Sequence, residues 1–455
     1  MHNQFFKISF FVWLFLNTIA VFPQTVKIFI SDLPSNKAAV FSLSGEKTFF
    51  LDSVFTNSPG MFEFETDETK YRNGFYRLSL SGNKSVDFIF DENNVELKTD
   101  ANNILDSMKA IKSVSNKLYY SFVKLNKEYK TKTELLQLIL ARYPKDDDYY
   151  SATQNKLIEV QNQYLDFVRN TSQTNPNSFI ARYILSSQLP VILLNIAAEN
   201  QLAYLKLHAL DNVDFTDAGL INSDVFTNKT IEYLTYFRNP QFPKELLEKE
   251  FMAAVDSVLN RAKVNELVYQ HITEYLVDGF KKFGFDLVID YIVENYVIKD
   301  DLCLDVKTEG LIKRRIEQAK KFKIGMTVPD IIMPDLNGNT VELNKLTAEK
   351  VLIVFYASWC PHCEELLPKL NELQAKQKEK LEILTVSLDS SKTDWQNFVK
   401  NNSSSCTNLF DGKGWDGKAA SDYFIYATPS MFLVDKDKKV IAKPMSYEEV
   451  IQSIK

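Results

Sequence analysis

Cys360 and Cys363, separated by two residues in Trp359-Cys360-Pro361-His362-Cys363, are the side chains best suited to chemistry. They follow the apolar run Val351-Leu352-Ile353-Val354-Phe355-Tyr356, which reads as a buried strand, and they precede Glu364-Glu365-Leu366-Leu367, which reads as a helix. Cys360 is therefore expected at a helix N-terminus. There, unpaired backbone N–H groups and the helix dipole favour an anion, so its thiol should ionise more readily than that of a free cysteine. Cys363 shares the same helical face and can attack a mixed disulfide formed at Cys360, releasing the partner. Pro361 suits the first turn, where its missing N–H costs nothing. His362 sets an imidazole beside the reactive sulfur, and its charged form would stabilise the thiolate and make the disulfide form more oxidising.

Two blander roles compete. A zinc site needs two further ligands, but Cys303 and Cys406 stand alone and His208 and His271 are remote in sequence, so no metal is expected. A purely structural bridge would close too short a loop to constrain much chain. Redox exchange remains, with the Cys360/Cys363 couple as its own redox centre and no added cofactor.

The elements that must position this pair form part of a 455-residue chain, long enough for two to four domains, with 45% hydrophobic residues to build cores. The net charge of -6 mixes both signs, and nothing points to nucleic acid. Lys7 precedes Ile8-Ser9-Phe10-Phe11-Val12-Trp13-Leu14-Phe15-Leu16, and Thr18-Ile19-Ala20 offers small residues for cleavage. Residues 1–20 thus read as a secretory signal peptide rather than an uncleaved anchor, because the apolar stretch is short for a membrane span. Export to an oxidising compartment, the periplasm or cell envelope, is where such a pair would meet disulfides.

Residues 25–102 read as a small antiparallel β domain, with apolar alternation or clusters at 26–30, 39–43, 62–64, 75–80, 88–90 and 95–97 and glycines among the turns. Residues 103–322 carry helical periodicity, as in Leu157, Val160, Tyr164 and Val168 and again in Leu247, Phe251, Ala254 and Val258. Breaks at Arg142-Tyr143-Pro144, Asn175-Pro176-Asn177 and Asn239-Pro240-Gln241-Phe242-Pro243 cut this all-α domain into several helices. Lys313-Arg314-Arg315 with Lys320-Lys321 reads as a solvated helix face leading into a linker. Residues 323–455 alternate strands and helices, with a hairpin turn at Asn337-Gly338 and a polar loop from Asn402 to Lys418, and read as an α/β domain. In that domain Thr428-Pro429 opens the strand Ser430-Met431-Phe432-Leu433-Val434. Two readings of Pro429 stand side by side: an ordinary edge-strand proline, or a cis proline beside which the Thr428 peptide group meets an extended substrate.

Phe355-Tyr356-Ala357-Ser358-Trp359-Cys360-Pro361-His362-Cys363, the later Pro368, and Ala427-Thr428-Pro429-Ser430-Met431-Phe432-Leu433-Val434-Asp435 resemble the thioredoxin superfamily, specifically the exported TlpA/ResA-like thiol-disulfide oxidoreductases. Gly325-Met326-Thr327-Val328-Pro329-Asp330-Ile331 and its hairpin are similar to the redoxin-type extension of those proteins. Leu51-Asp52-Ser53 and Gly60-Met61-Phe62-Glu63-Phe64 resemble the N-terminal domain that Bacteroidota-type members place ahead of a helical region. The resemblance implies a thioredoxin fold at the C-terminus, a cis bond at Pro429, Cys360 as nucleophile and Cys363 as resolving cysteine. Trp359, Pro361, His362, Thr428 and Pro429 would support them. Its implied partners are thiols and disulfides of envelope proteins and an upstream, membrane-bound redox partner.

Two positions depart from the family. Val354 stands where thioredoxins carry a buried acid, and Leu366 stands where the reductase branch often has a glutamate. Deprotonation of Cys363 is left to solvent, His362 or a neighbour such as Glu364. Pro361-His362 resembles the dipeptide of strong oxidants. Members of the fold span about 150 mV, roughly 7 kcal/mol for two electrons, so direction is the open choice: reduction or isomerisation is expected, with net thiol oxidation as the alternative. Cys303 reads as a packed thiol and Cys406 as a loop thiol open to solvent, and a bridge between them would need Cα atoms within about 7 Å. Two other classes compete. A peroxidase would use a lone peroxidatic cysteine, and a partner-binding envelope protein would carry the redox domain as an accessory.

Overall fold

The computed structural model describes residues 24–454 apart from 34, 67–70, 195, 197, 378–379 and 403–404; the expected signal segment lies outside the described residues. By compactness the chain divides into two units, Met1–Phe237 and Arg238–Lys455, a division that falls inside the helical stretch 103–322. No described helix is long and apolar enough to cross a membrane.

The first unit opens with strands β1 (Gln24–Ser31), β2 (Lys37–Ser44), β3 (Lys47–Ser58), β4 (Met61–Thr66), β5 (Gly74–Ser79), β6 (Ser85–Phe90), β7 (Asn94–Asp100) and β8 (Lys109–Lys112). Among the described residues these form one sheet in the order β6-β5-β2-β3-β4-β1-β7-β8. Its pairings are antiparallel except β1 with β7, which run parallel with Val26 opposite Val95. Alternation drives the inner face: Val26, Ile28 and Ile30 of β1 are fully buried, as are Val86 and Phe88 of β6. Strand β3 carries no such pattern because Phe49, Phe50 and Phe55 face solvent. Helices α1 (Ile104–Ser107), α2 (Val114–Arg142), α3 (Asp148–Thr174), α4 (Phe179–Ser186), α5 (Ala198–His208) and α6 (Val225–Thr235) complete this unit. Leu157, Val160, Tyr164 and Val168 form the buried face of α3. The buried Asn116 of α2 fastens helix to sheet by accepting from Ile89 N and donating to Ile89 O, both at 2.8 Å.

The second unit starts with four helices: α7 (Lys244–Ala262), α8 (Glu266–Lys282), α9 (Asp286–Ile292), which runs on as the π-helical turn Val293–Ile298, and α10 (Val306–Lys321). Pro243 ends the expected break and precedes α7, while Asn265 and Asp305 cap α8 and α10 by accepting from backbone amides. Then follow β9 (Ile332–Pro334), β10 (Thr340–Glu342), β11 (Lys350–Tyr356), α11 (Pro361–Lys376), β12 (Leu381–Ser387), α12 (Lys392–Asn402), β13 (Thr407–Phe410), α13 (Lys418–Asp422), β14 (Ser430–Asp435), β15 (Val440–Ala442) and α14 (Tyr447–Ile454). β9 and β10 make the hairpin, with Gly338 at φ 84° in its turn.

The central sheet runs β13-β12-β11-β14-β15, with β12 parallel to β11 and to β13, and β14 antiparallel to β11 and β15. This is a thioredoxin fold. Val351 to Tyr356 of β11 are all fully buried, so neither face of the strand meets water.

Two expectations need correction. The span 402–418 is not a plain polar loop: it contains β13 and a 3-10 turn, Gly414–Asp416. β13 is short and hides a polar residue, the buried Asn408, whose Oδ1 accepts from Thr385 Oγ1 at 2.8 Å. The basic cluster before the α/β domain is not a solvated face leading to a linker. Lys313, Lys320 and Lys321 are exposed, but Arg314, Arg315 and Gln318 turn inward. Arg314 Nη1 donates to Ile425 O at 2.9 Å, and Gln318 Nε2 donates to Tyr423 O at 3.0 Å. Ile312 and Ile316 bury the adjoining face. Helix α10 is therefore an integral layer of the second unit.

Candidate active site

Strand β11 ends at Tyr356, and the turn Ala357-Ser358-Trp359 delivers Cys360 to the N-cap of α11. The turn is held from a second strand. Asp389, 2% exposed just beyond β12, accepts from Ser358 N at 3.1 Å with both oxygens, and from the hydroxyls of Ser358 and Ser387 at 2.7 Å. Charge-assisted bonds of this kind are about twice as strong as neutral ones. No sequence motif pointed to Asp389, which stands two residues beyond the end of β12.

Cys360 caps α11 with φ −92° and ψ 113°, and Pro361 takes the first helical turn. The two thiols are free and 2.7 Å apart, with Cys363 Sγ donating to Cys360 Sγ. Cys363 N also points at Cys360 Sγ from 3.4 Å, and Cys360 Sγ in turn lies 3.4 Å from Thr428 O. The Thr428–Pro429 peptide bond is cis. Cys360 is 5% exposed and Cys363 0%, so the first sulfur is the one a partner can reach. Trp359 is 60% exposed beside them, and His362 and Glu364 lie on the outer face of the helix. The structure thus brings Cys360, Cys363, Trp359, Pro361, His362, Thr428 and Pro429 to one place.

The two thiols are driven apart electrostatically. The Cys360 thiol is brought down to about 6, chiefly by the hydrogen bond from the Cys363 thiol; burial opposes this, and the Thr428 side chain, the Cys363 amide and the charge of His362 add to the lowering. The same hydrogen bond, followed by burial, pushes Cys363 far upward. One sulfur is a ready nucleophile at neutral pH while the other holds its proton. Because the Cys360 value is lowered, the thiolate exists above about pH 6 and is lost as pH falls through it. The ultraviolet thiolate absorbance should titrate with a midpoint near that pH, and the rate of attack on a disulfide should follow it. His362→Ala should raise the midpoint, and Cys363→Ala, which removes the largest cause, should raise it more.

Beyond the sulfurs, α10 and α9 grip the segment that leads into the cis proline. Arg315 pairs with Asp286 and, at 2.6 Å, with Asp290, and its guanidinium lies over the Tyr426 ring, 4.2 Å from the centroid. Tyr426 OH donates to Asp290 Oδ1 at 2.7 Å. Tyr426 stands two residues before Thr428, so the carbonyl that faces Cys360 hangs from a clamped segment. Sequence reasoning missed Asp290, Arg315 and Tyr426, whose spacing along the chain carries no local signature.

The other two cysteines reverse their expected settings. Cys406 is buried, with its thiol pushed up to about 12 by that burial, whereas Cys303 is exposed. Cys406 leads directly into the short β13 and joins the core of the α/β domain, while Cys303 sits in the open stretch between the π turn and α10. Both are free thiols.

Against known proteins, the sequence profile of the AhpC/TSA family matches residues 324–443. The thiol-disulfide oxidoreductase ResA of Bacillus cereus (strain ZK / E33L) is 36% identical over 125 residues, covering 27% of this chain and 70% of that protein. The chain belongs to the ResA family of thiol-disulfide oxidoreductases. ResA of Geobacillus thermodenitrificans is 29% identical over 135 residues, covering 29% of this chain and 76% of that one. A solved thioredoxin-like protein from Bacteroides caccae is 21% identical, covers 59% of this chain and 97% of its own, and has a TM-score of 0.38. As a ResA-family enzyme the chain acts on protein thiols through a thioredoxin-like domain.

Proposed function

We propose that this chain is an exported thiol-disulfide oxidoreductase that reduces or isomerises disulfides of envelope proteins, with Cys360 as nucleophile and Cys363 as resolving cysteine. The observation that carries it is the 2.7 Å pair of free thiols in which the outer one is acidic and the inner one is not. The Cys360 thiolate attacks a client disulfide. A Cys360–client bond forms, the client's second sulfur leaves as thiolate and takes a proton, and Cys363, giving up its own proton, displaces the client from Cys360. The client gains two electrons and two protons, and the couple is left oxidised until an upstream dithiol donor, expected in the membrane, reduces it. Trp359, Pro361, His362, Thr428 and Pro429 support these steps, with the Thr428 peptide group pairing with the client backbone. Export rests on residues 1–20 and on the need for a compartment that makes disulfides. No further cofactor or metal is invoked.

Net oxidation is the second reading, favoured by the His362 charge that steadies the thiolate. A Cys360 value of about 6 is closer to thioredoxin, about 7, than to the strong oxidant DsbA, about 3.5, and so leans towards reduction. Equilibrating the couple with glutathione decides between them. A potential near that of thioredoxin, about −270 mV, is expected; one near about −120 mV would replace reduction by oxidation.

A further inference from the structure

One face of the redox site opens into a cavity of about 660 Å³ within the second unit. Its near end is formed by His362, Thr428 and Pro429. Its opposite wall comes from the helices that precede the thioredoxin-like domain: α7 offers Met252, α9 and its π turn offer Leu287, Tyr291 and Glu294, and α10 offers Arg315. Several of the charges there are paired. Arg315 is bound to Asp286 and Asp290, and Lys443 Nζ reaches Glu294 Oε1 at 2.5 Å, tying the segment after β15 to the π turn. Much of what remains is apolar and adaptable. Three of the chain's eight methionines, Met252, Met431 and Met445, line this one cavity, and Met445 is 50% exposed. Methionine's flexible, polarizable side chain suits surfaces that take varied apolar groups. A strand edge without a strand partner among the described residues also borders the cavity. β15 pairs only with Leu433 and Val434 of β14, so Ser430–Phe432 have no strand partner on that side among the described residues. An extended chain can add to such an edge and place alternate side chains into the adjoining pocket.

We infer that α7, α9 and α10 form the second wall of the client cleft and select an extended, locally unfolded protein segment that carries an apolar side chain beside its cysteine. The inference rests on the function proposed above and adds the specificity-determining surface. The cavity meets the redox site at His362, Thr428 and Pro429, so a client strand that pairs beside Thr428 runs past these helices and sets its side chains against them. The helical segment is then part of the recognition machinery, and Met252 is its test residue.

The test compares, with the full chain in reduced form, the rates at which two synthetic peptide disulfides are reduced, one with Leu and one with Gly beside a cysteine; glutathione disulfide is the third substrate. The Leu peptide should react at least about tenfold faster than the Gly peptide, the discrimination an apolar pocket gives for a missing side chain. Met252→Asp should bring that ratio down to about twofold or less. The ratio within each variant cancels any general loss of activity, and Met445→Asp, at a half-exposed position, reports on the same cleft should Met252→Asp fail to fold. Equal rates for the two peptides, or a preference untouched in both variants, would overturn the inference while leaving the proposed function standing. Glutathione disulfide outpacing both peptides would make the cleft a small-molecule site and overturn it equally. No reduction of any of the three would remove the proposed function, and the inference with it.

Discussion

Cys360→Ala should abolish reduction of insulin disulfides by dithiothreitol-recycled protein, a loss on the order of a thousandfold or more, because it removes the only sulfur of the pair that a client can reach. Cys363→Ala should fail differently. Its Cys360 thiolate still attacks, though with a raised midpoint, but nothing displaces the client, so a mixed disulfide accumulates and is seen as a covalent complex on a non-reducing gel. The asymmetry follows from the geometry: Cys363 is fully buried, holds its proton, and faces the sulfur it must attack at 2.7 Å. Insulin reduction that survives Cys360→Ala would dismiss Cys360 as nucleophile. Absence of any trapped client from an envelope extract with Cys363→Ala would count against protein disulfides as the substrate.

Arg315→Met should destabilise the second unit by roughly 3–5 kcal/mol, the cost of leaving a buried carboxylate without its cation. The Arg315 side chain is 11% exposed and that of its partner Asp290 is 17% exposed; Asp286, at 51%, adds little because water screens it. Burial already pushes the Asp290 carboxyl upward, with Arg315 and the Tyr426 hydroxyl opposing that shift. Arg315→Lys keeps the charge but loses the two-armed grip and the stacking on Tyr426, so a smaller loss of about 1–2 kcal/mol is expected. Urea unfolding followed by tryptophan fluorescence measures both, since Trp359, Trp395 and Trp415 all lie in this unit. The positioning role has its own readout. If the clamp holds the Thr428 side chain, whose hydrogen bond lowers the Cys360 value, against that sulfur, the thiolate midpoint of Arg315→Met should rise together with the loss of stability. A midpoint left at the wild-type value would confine Arg315 to holding the fold.

The strand β11, the helix begun by Cys360, the hairpin at Gly338 and the breaks between helices were legible because each is written in adjacent residues. An apolar run, a Pro after a cap, an Asn-Gly turn and a Pro-containing break act over a few positions. Strand β3 was not legible, since Phe49, Phe50 and Phe55 point outward and spoil its alternation. Nor was β13, which is four residues long and buries Asn408. The reversal of Cys303 and Cys406 has the same origin: burial of a single thiol is decided by what packs over it.

By itself, the sequence determined the cysteine pair at the start of a helix, the thioredoxin-type domain around it and the strand opened by Pro429, all of which depend on short-range spacing. Only the tertiary structure decided that Asp389 steadies the turn before Cys360, that Arg315, Asp290 and Tyr426 grip the approach to Thr428, and that α7, α9 and α10 face the site across a cavity. Those partners are 25 to 136 residues apart. Pairings over such separations leave no periodicity to read, because each side chain reports only its own charge or size until the backbone has brought its partner within reach.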